Sequence, residues 1–78
     1  MRLAVAWDPA ALWVFHQLPM HSATRIDRAV IRLAETGEGR LEWVAPYYRL
    51  GAGSFDVALT IDREALVLAV LRIYRARS

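Results

Sequence analysis

The chain has 78 residues, 56% of them hydrophobic, with no cysteine and a net charge of +2. These values suit a single domain and exclude a disordered tail, a disulfide-stapled miniprotein and a thiolate metal site. No apolar run reaches the roughly 20 residues that cross a bilayer, and no signal peptide precedes Asp8-Pro9, so we predict one cytoplasmic domain over residues 1–78.

The start of the chain predicts a strand followed by a helix. Residues 2–7 alternate loosely between apolar and other side chains, which suits a half-buried strand. Asp8 and Pro9 suit the cap and the first position of a helix over residues 10–18, which ends before Pro19.

A second helix is predicted over residues 22–36, and Gly37 suits its C-terminal cap. Its arginines (Arg25, Arg28 and Arg32) are predicted to point outward. Apolar residues recur at helical spacing, at Ile26, Val30, Leu33 and Ala34. The helix is therefore expected to bury one stripe and to expose its charged side.

After the second helix the hydrophobic period is two, which predicts strands. Residues 41–44 form a short strand that is interrupted at Ala45-Pro46, because proline cannot donate to a sheet ladder. Extended structure resumes over residues 47–50. A loop over residues 51–53 then leads into the clearest strand, residues 54–61.

The last two predicted strands form a hairpin. Alternate residues of the strand 54–61 point to one face, namely Phe55, Val57, Leu59 and Ile61. Residues 62–64 form a tight turn, and the aliphatic run 65–73 suits a central strand. The order β-α-α-β-β-β predicts an α+β fold in which a two-helix hairpin packs on one face of a mainly antiparallel sheet.

All ten basic residues are arginine. A guanidinium makes planar, bidentate contacts with phosphate or carboxylate groups. The small net charge does not by itself indicate nucleic-acid binding, but Arg72, Arg75 and Arg77 fall among the last seven residues. That cluster suits RNA phosphate, an acidic partner segment or simply a solvated end.

Other side chains give weaker signals. Two histidines five residues apart across Pro19, without cysteine, do not predict a metal site, and we expect no cofactor. Partial burial is expected for His16. The tryptophans (Trp7, Trp13 and Trp43) are predicted to pack in the core rather than to stack on nucleic-acid bases.

Four segments occur together in the order and spacing of a known family. The first segment is the helix 26–35, preceded by Leu18-Pro19 at the end of the first helix. The second is a pair of strands that contains Tyr48-Arg49-Leu50 and residues 53–57. The others are the turn Ile61-Asp62 and the closing strand 70–77. Together they resemble the RelE/ParE toxin superfamily of type II toxin–antitoxin systems. The resemblance covers nearly the whole chain and implies two helices on a curved antiparallel sheet.

The resemblance implies a bacterial growth-inhibiting toxin. In the RelE branch the toxin is a ribosome-dependent endoribonuclease that makes the 2′-OH of mRNA attack the adjacent phosphate. Such a reaction needs a base, cations around the phosphate and an acid for the leaving oxygen. By resemblance, the candidate catalytic residues are Arg49 and Arg75, and the candidates for binding RNA or a partner are Arg72, Arg77, Tyr48 and Tyr74.

Asp56 departs from the family pattern, because active members usually carry an arginine at its position. An anion there would repel a phosphate, by about 4 kcal/mol at 4 Å and an effective dielectric near 20, unless Asp56 pairs with Arg49 or Arg75. The chain also stops at Ser78, where many relatives continue into a short tail. Both differences favour a divergent member with weakened or lost activity.

Two alternatives to the nuclease stay open. A ParE-like protein would inhibit DNA gyrase, and a partner-binding domain of the same fold would have lost toxicity. The nuclease and both alternatives imply a cognate antitoxin as partner. The nuclease hypothesis adds the ribosome and mRNA as partners. A homodimer through an unpaired strand edge is a further alternative.

Overall fold

The computed structural model describes residues 2–76, which form five strands and two helices. Their order is β1 (Ala4–Trp7), α1 (Pro9–Gln17), α2 (Met20–Thr36), β2 (Arg40–Val44), β3 (Tyr47–Ala52), β4 (Phe55–Asp62) and β5 (Val67–Arg75). The strands form one sheet in the order β1-β5-β4-β3-β2. Only the β1–β5 pair is parallel among the described strands, so the predicted α+β fold with a mainly antiparallel sheet is confirmed.

Helix α1 begins where the sequence predicts. The Asp8 carboxylate accepts a hydrogen bond from the Ala10 N–H at 2.9 Å, and Pro9 occupies the first helical position. This satisfies one of the N–H groups that a helix start leaves without a backbone partner. The helix ends at Gln17 because Leu18 is already extended.

Asp8→Ala is expected to lower the free energy of unfolding by about 1 kcal/mol, because the cap hydrogen bond is lost. Urea denaturation followed by circular dichroism measures the change. Asp27→Ala serves as the control, since Asp27 is an exposed residue within α2, and it should not destabilise the chain. Equal losses in both variants would contradict the capping role.

Helix α2 begins at Met20, two residues before the predicted start, because the helix resumes directly after the extended Pro19. It ends as predicted at Gly37, which has a φ of 79° and donates its N–H to the Leu33 carbonyl. A left-handed residue of this kind is the usual helix terminator, and glycine adopts it without strain. The four residues of the predicted apolar stripe are all buried.

The core lies between the two helices and one face of the sheet. It joins the α2 stripe to inward-facing residues of the inner strands, namely Leu50, Val57, Leu59, Leu68, Val70 and Ile73. Because side chains alternate along a strand, the intervening residues occupy the opposite face. We call that surface, away from the helices, the outer face.

Two predicted segments differ in the structure. The interrupted strand is a hairpin of two strands, β2 and β3, which turns at Ala45-Pro46 and so adds a strand to the predicted order. Strand β3 also continues through Ala52, because Gly51 pairs with residues on both sides of it. The predicted loop over residues 51–53 is therefore only a turn at Gly53 and Ser54.

Strand β5 begins at Val67 rather than at residue 65. The turn before it extends over residues 63–66, with Leu66 at a φ of 57°. The Asp62 carboxylate stabilises this turn by accepting hydrogen bonds from the N–H groups of Glu64 and Ala65, both at 3.0 Å. The strand then runs to Arg75, two residues beyond the predicted end.

Two of the three tryptophans are not in the core. Trp7 is partly buried, with its ring centroid 4.9 Å from that of Phe15. Trp13 is 67% exposed and Trp43 is 58% exposed, so the prediction is wrong for both. His16 is also exposed, contrary to expectation. Neither helix within residues 2–76 is long and apolar enough to cross a membrane.

Candidate functional site

A depression with a volume of about 660 Å³ opens on the outer face. We call it the outer-face depression. Residues of β2, β3, β4 and β5 line it, and its polar side chains are Arg40, Glu42, Arg49, Asp56, Tyr74 and Arg75. The depression therefore combines cationic, anionic and phenolic groups.

The strand register explains why these residues meet. One row across the four strands contains Arg40, Gly51, Asp56 and Tyr74, and the adjacent row contains Glu42, Arg49, Ala58 and Arg72. The two rows share the outer face because their members lie two residues apart along each strand. Gly51 has no side chain, which leaves room for the Arg40 guanidinium to lie over the middle of its row.

The central cation of the site is Arg49. Its guanidinium donates a hydrogen bond to the Glu42 carboxylate and forms an ion pair with it. This hydrogen bond and the charge of Glu42 raise the pKa of Arg49 above its usual value, and the nearby Asp56 and Tyr74 add in the same direction. Arg49 therefore stays positively charged, with carboxylates on two sides.

The chain is similar to known proteins in its fold but not in its sequence. No family model and no curated protein sequence matches the chain. Among solved structures, a chain of the archaeal RelE–RelB complex from Pyrococcus horikoshii aligns over 100% of both chains at 16% identity, with a TM-score of 0.82. The chain has the RelE fold.

Two further RelE-fold structures support this result. A chain of the intact E. coli RelBE toxin–antitoxin complex aligns over 97% of this chain and 99% of its own, at 15% identity and a TM-score of 0.78. The YoeB dimer from Staphylococcus aureus aligns over 100% of both chains, at 14% identity and a TM-score of 0.74. The fold implied by the sequence resemblance is thus confirmed.

The RelE fold brings some predicted site residues together and separates others. Arg49, Asp56 and Tyr74 line the outer-face depression, and Arg72 lies on the same face. Tyr48 instead packs toward the core, with its ring centroid 4.9 Å from that of Trp43. Arg77 lies outside the described residues.

Arg75 also lines the depression, but its guanidinium packs on an aromatic ring rather than joining the row of Arg49. Arg75 pairs with Phe55 across the strands, and its guanidinium carbon lies 5.3 Å from the centroid of the Phe55 ring. A register shift between Ala58 and Leu59 is the cause. Without this bulge, the alternation along β5 would place Arg75 on the outer face.

The bulge also brings Arg72 and Tyr74 onto the outer face. The ion pair between Asp56 and Arg49 or Arg75, which was the alternative to repulsion of a phosphate, does not form among the described residues, and Arg49 pairs with Glu42. Asp56 lies between Gly51 and Tyr74 in its row. Its carboxylate therefore remains available to solvent or to a ligand.

Sequence reasoning missed Glu42 and Arg40. A signal for Glu42 existed, because a two-residue turn at Ala45-Pro46 pairs Val44 with Tyr47 and hence Glu42 with Arg49. Over residues 2–76, no group of histidine, aspartate or glutamate side chains is arranged to hold a metal ion.

Proposed function

We propose that the chain is the toxin component of a toxin–antitoxin pair and that its outer-face depression binds RNA phosphate. The main support is the full-length similarity to a chain of the archaeal RelE–RelB complex, at a TM-score of 0.82. The proposed toxin acts in the bacterial cytoplasm, with a cognate antitoxin as its protein partner. Complexes of RelE with RelB among the similar structures support that partner.

The proposed reaction is cleavage of mRNA by its own 2′-OH group. Arg49 supplies a permanent cation for the phosphate, since its pKa is raised by Glu42. The Glu42 carboxylate beside it is suited to accept the 2′-OH proton. The Tyr74 hydroxyl lines the same depression and is suited to protonate the leaving oxygen.

A second candidate function is a partner-binding domain that has lost toxicity. The ion pair between Arg49 and Glu42 favours it, because a carboxylate already occupies the cation that a phosphate would need. The same cations would then bind an acidic segment of the antitoxin.

Inducing the chain in bacteria tests these proposals. Growth arrest with cleaved mRNA and normal gyrase supercoiling is the expected result. Arg49→Ala should lower cleavage about 100-fold or more, as loss of a group that stabilises developing charge does in other enzymes. Arg75→Ala should lower it less, because that guanidinium packs on Phe55.

Arg63→Ala is the matched control, since Arg63 is exposed in the turn before β5. It should arrest growth as the unchanged chain does. Arrest with intact mRNA and blocked supercoiling would instead indicate a ParE-like gyrase inhibitor. Normal growth would indicate the partner-binding domain.

A further inference from the structure

A second arginine-rich surface lies beside α2, on the helix side of the sheet. Arg25, Arg28 and Arg32 recur at spacings of three and four residues, so they share one stripe of the helix, about 10 Å long. Together with Arg40 and the glycines of β3 and the following turn, they line a groove of about 540 Å³. We call it the α2 groove.

Two glycines let arginine side chains lie against the strand backbone. The position that a Cβ atom would occupy at Gly51 is 2.7 Å from Nη2 of Arg40. At Gly53 the corresponding position is 3.0 Å from Cδ of Arg25 and 3.1 Å from its Nη1. Gly51 belongs to the outer-face row, so the Arg40 guanidinium lies against the outer face, whereas Gly53 lets the Arg25 side chain lie close to the floor of the α2 groove.

The α2 groove carries positive charge that no ion pair of the described residues balances. Arg32 forms an ion pair with Glu38 at 2.8 Å. Arg25, Arg28 and Arg40 have no ion-pair partner among residues 2–76. Arg25 and Arg28 therefore lie along the groove as uncompensated cations, and Arg40 adds a third where the groove meets the outer-face depression.

The lining of the groove favours phosphate over a peptide. A docked helix or strand needs exposed apolar anchors, but the apolar floor residues Leu50 and Ala52 are 0% and 5% exposed. Guanidinium groups bind phosphate oxygens in bidentate fashion and do so without reading sequence. We infer that the α2 groove binds the phosphate backbone of a single nucleic-acid strand.

Arg40 connects this groove to the outer-face depression. Arg40 and Gly51 line both cavities, so a strand that occupies the α2 groove can pass around Arg40 toward Arg49. Binding in the α2 groove does not require cleavage, however. It goes beyond the proposed function and holds whether or not the chain cuts RNA.

A binding titration tests the inference. The probe is a short, fluorescent, single-stranded 2′-O-methyl oligoribonucleotide, which lacks the free 2′-OH that cleavage would need. Each lost phosphate contact lowers the slope of log affinity against log salt by about 0.7. The double variant Arg25→Ala/Arg28→Ala should lower the slope by about 1.4 and weaken binding about 25-fold at about 0.1 M salt.

A matched double variant controls for net charge. Arg2→Ala/Arg63→Ala removes the same two charges from exposed positions outside the groove and should change affinity by less than about threefold. A third variant, Glu38→Gln, releases Arg32 and should strengthen binding about fivefold at about 0.1 M salt. Circular dichroism confirms that each variant is folded.

Three outcomes would overturn the inference. The first is an equal loss of affinity in the two double variants, which would show that only the net charge of the chain matters. The second is unchanged affinity in both Arg25→Ala/Arg28→Ala and Glu38→Gln. The third is binding of a polyglutamate peptide as tight as that of the oligonucleotide, which would assign the groove to an acidic protein. If the Arg49→Ala variant still binds the oligonucleotide, binding in the α2 groove is independent of the proposed cleavage in the outer-face depression.

Discussion

Ile26→Ala is expected to lower the free energy of unfolding by about 2–5 kcal/mol, the usual cost of truncating a buried isoleucine. Ile26 is 0% exposed and lies within the stripe through which α2 contacts the sheet. Truncation removes apolar contacts and leaves a cavity that the surrounding core fills only in part. In a domain of this size such a loss is a large part of the total stability.

Ile31→Ala is the matched control, with the same chemical change in the same helix. Ile31 is 42% exposed, so less apolar area is lost, and the higher helix propensity of alanine offsets part of that loss. We expect a change below about 1 kcal/mol. Urea denaturation measures both variants, and equal losses would mean that α2 does not pack on the sheet through the Ile26 stripe.

The success of the sequence prediction for α2 has a local cause. Its buried stripe follows the 3.6-residue period, and Gly37 ends the helix through its own backbone conformation. The Asp8 cap is local as well. Features of this kind depend on residues close together in the chain, so the sequence alone determines them well.

The strands were less predictable because pairing joins distant residues. The parallel pairing of β1 with β5 connects the two ends of the described chain. Burial of the tryptophans also depends on tertiary position, and the partial burial of Trp7 depends on the neighbouring Phe15. Trp43 lies on β2, which is an edge strand of the sheet, and it stays largely exposed.

In the candidate site, too, the contacts that depend on strand pairing were less predictable than the identity of single residues. Resemblance indicated Arg49, but its Glu42 partner depends on the β2–β3 register. The face of the sheet on which the Arg75 side chain lies depends on a single bulge between β4 and β5. The aliphatic run of β5 carries no polar alternation that would reveal this bulge, so nothing corrected the resemblance, which had grouped Arg75 with Arg49.

Asp56→Asn is expected to increase the affinity of the outer-face depression for phosphate, and with it the proposed cleavage rate, by up to about a thousandfold. Two like charges 4 Å apart repel by about 4 kcal/mol at an effective dielectric near 20, and about 1.4 kcal/mol corresponds to a factor of ten. Asp56 is close enough to Arg49 to raise its pKa. A phosphate bound to Arg49 would therefore experience the Asp56 charge, which asparagine removes with little change in shape.

Asp62→Asn is the matched control because it makes the same charge change on the same strand and face, about 20 Å away. Asparagine keeps the side-chain oxygen that accepts hydrogen bonds in the turn after β4. Cleavage of mRNA on translating ribosomes measures both variants, and Asp62→Asn should match the unchanged chain. A fall in rate with Asp56→Asn alone would contradict repulsion and identify Asp56 as the group that accepts the 2′-OH proton. In an Arg49→Ala background the gain should disappear, because no cation remains to hold the phosphate beside Asp56.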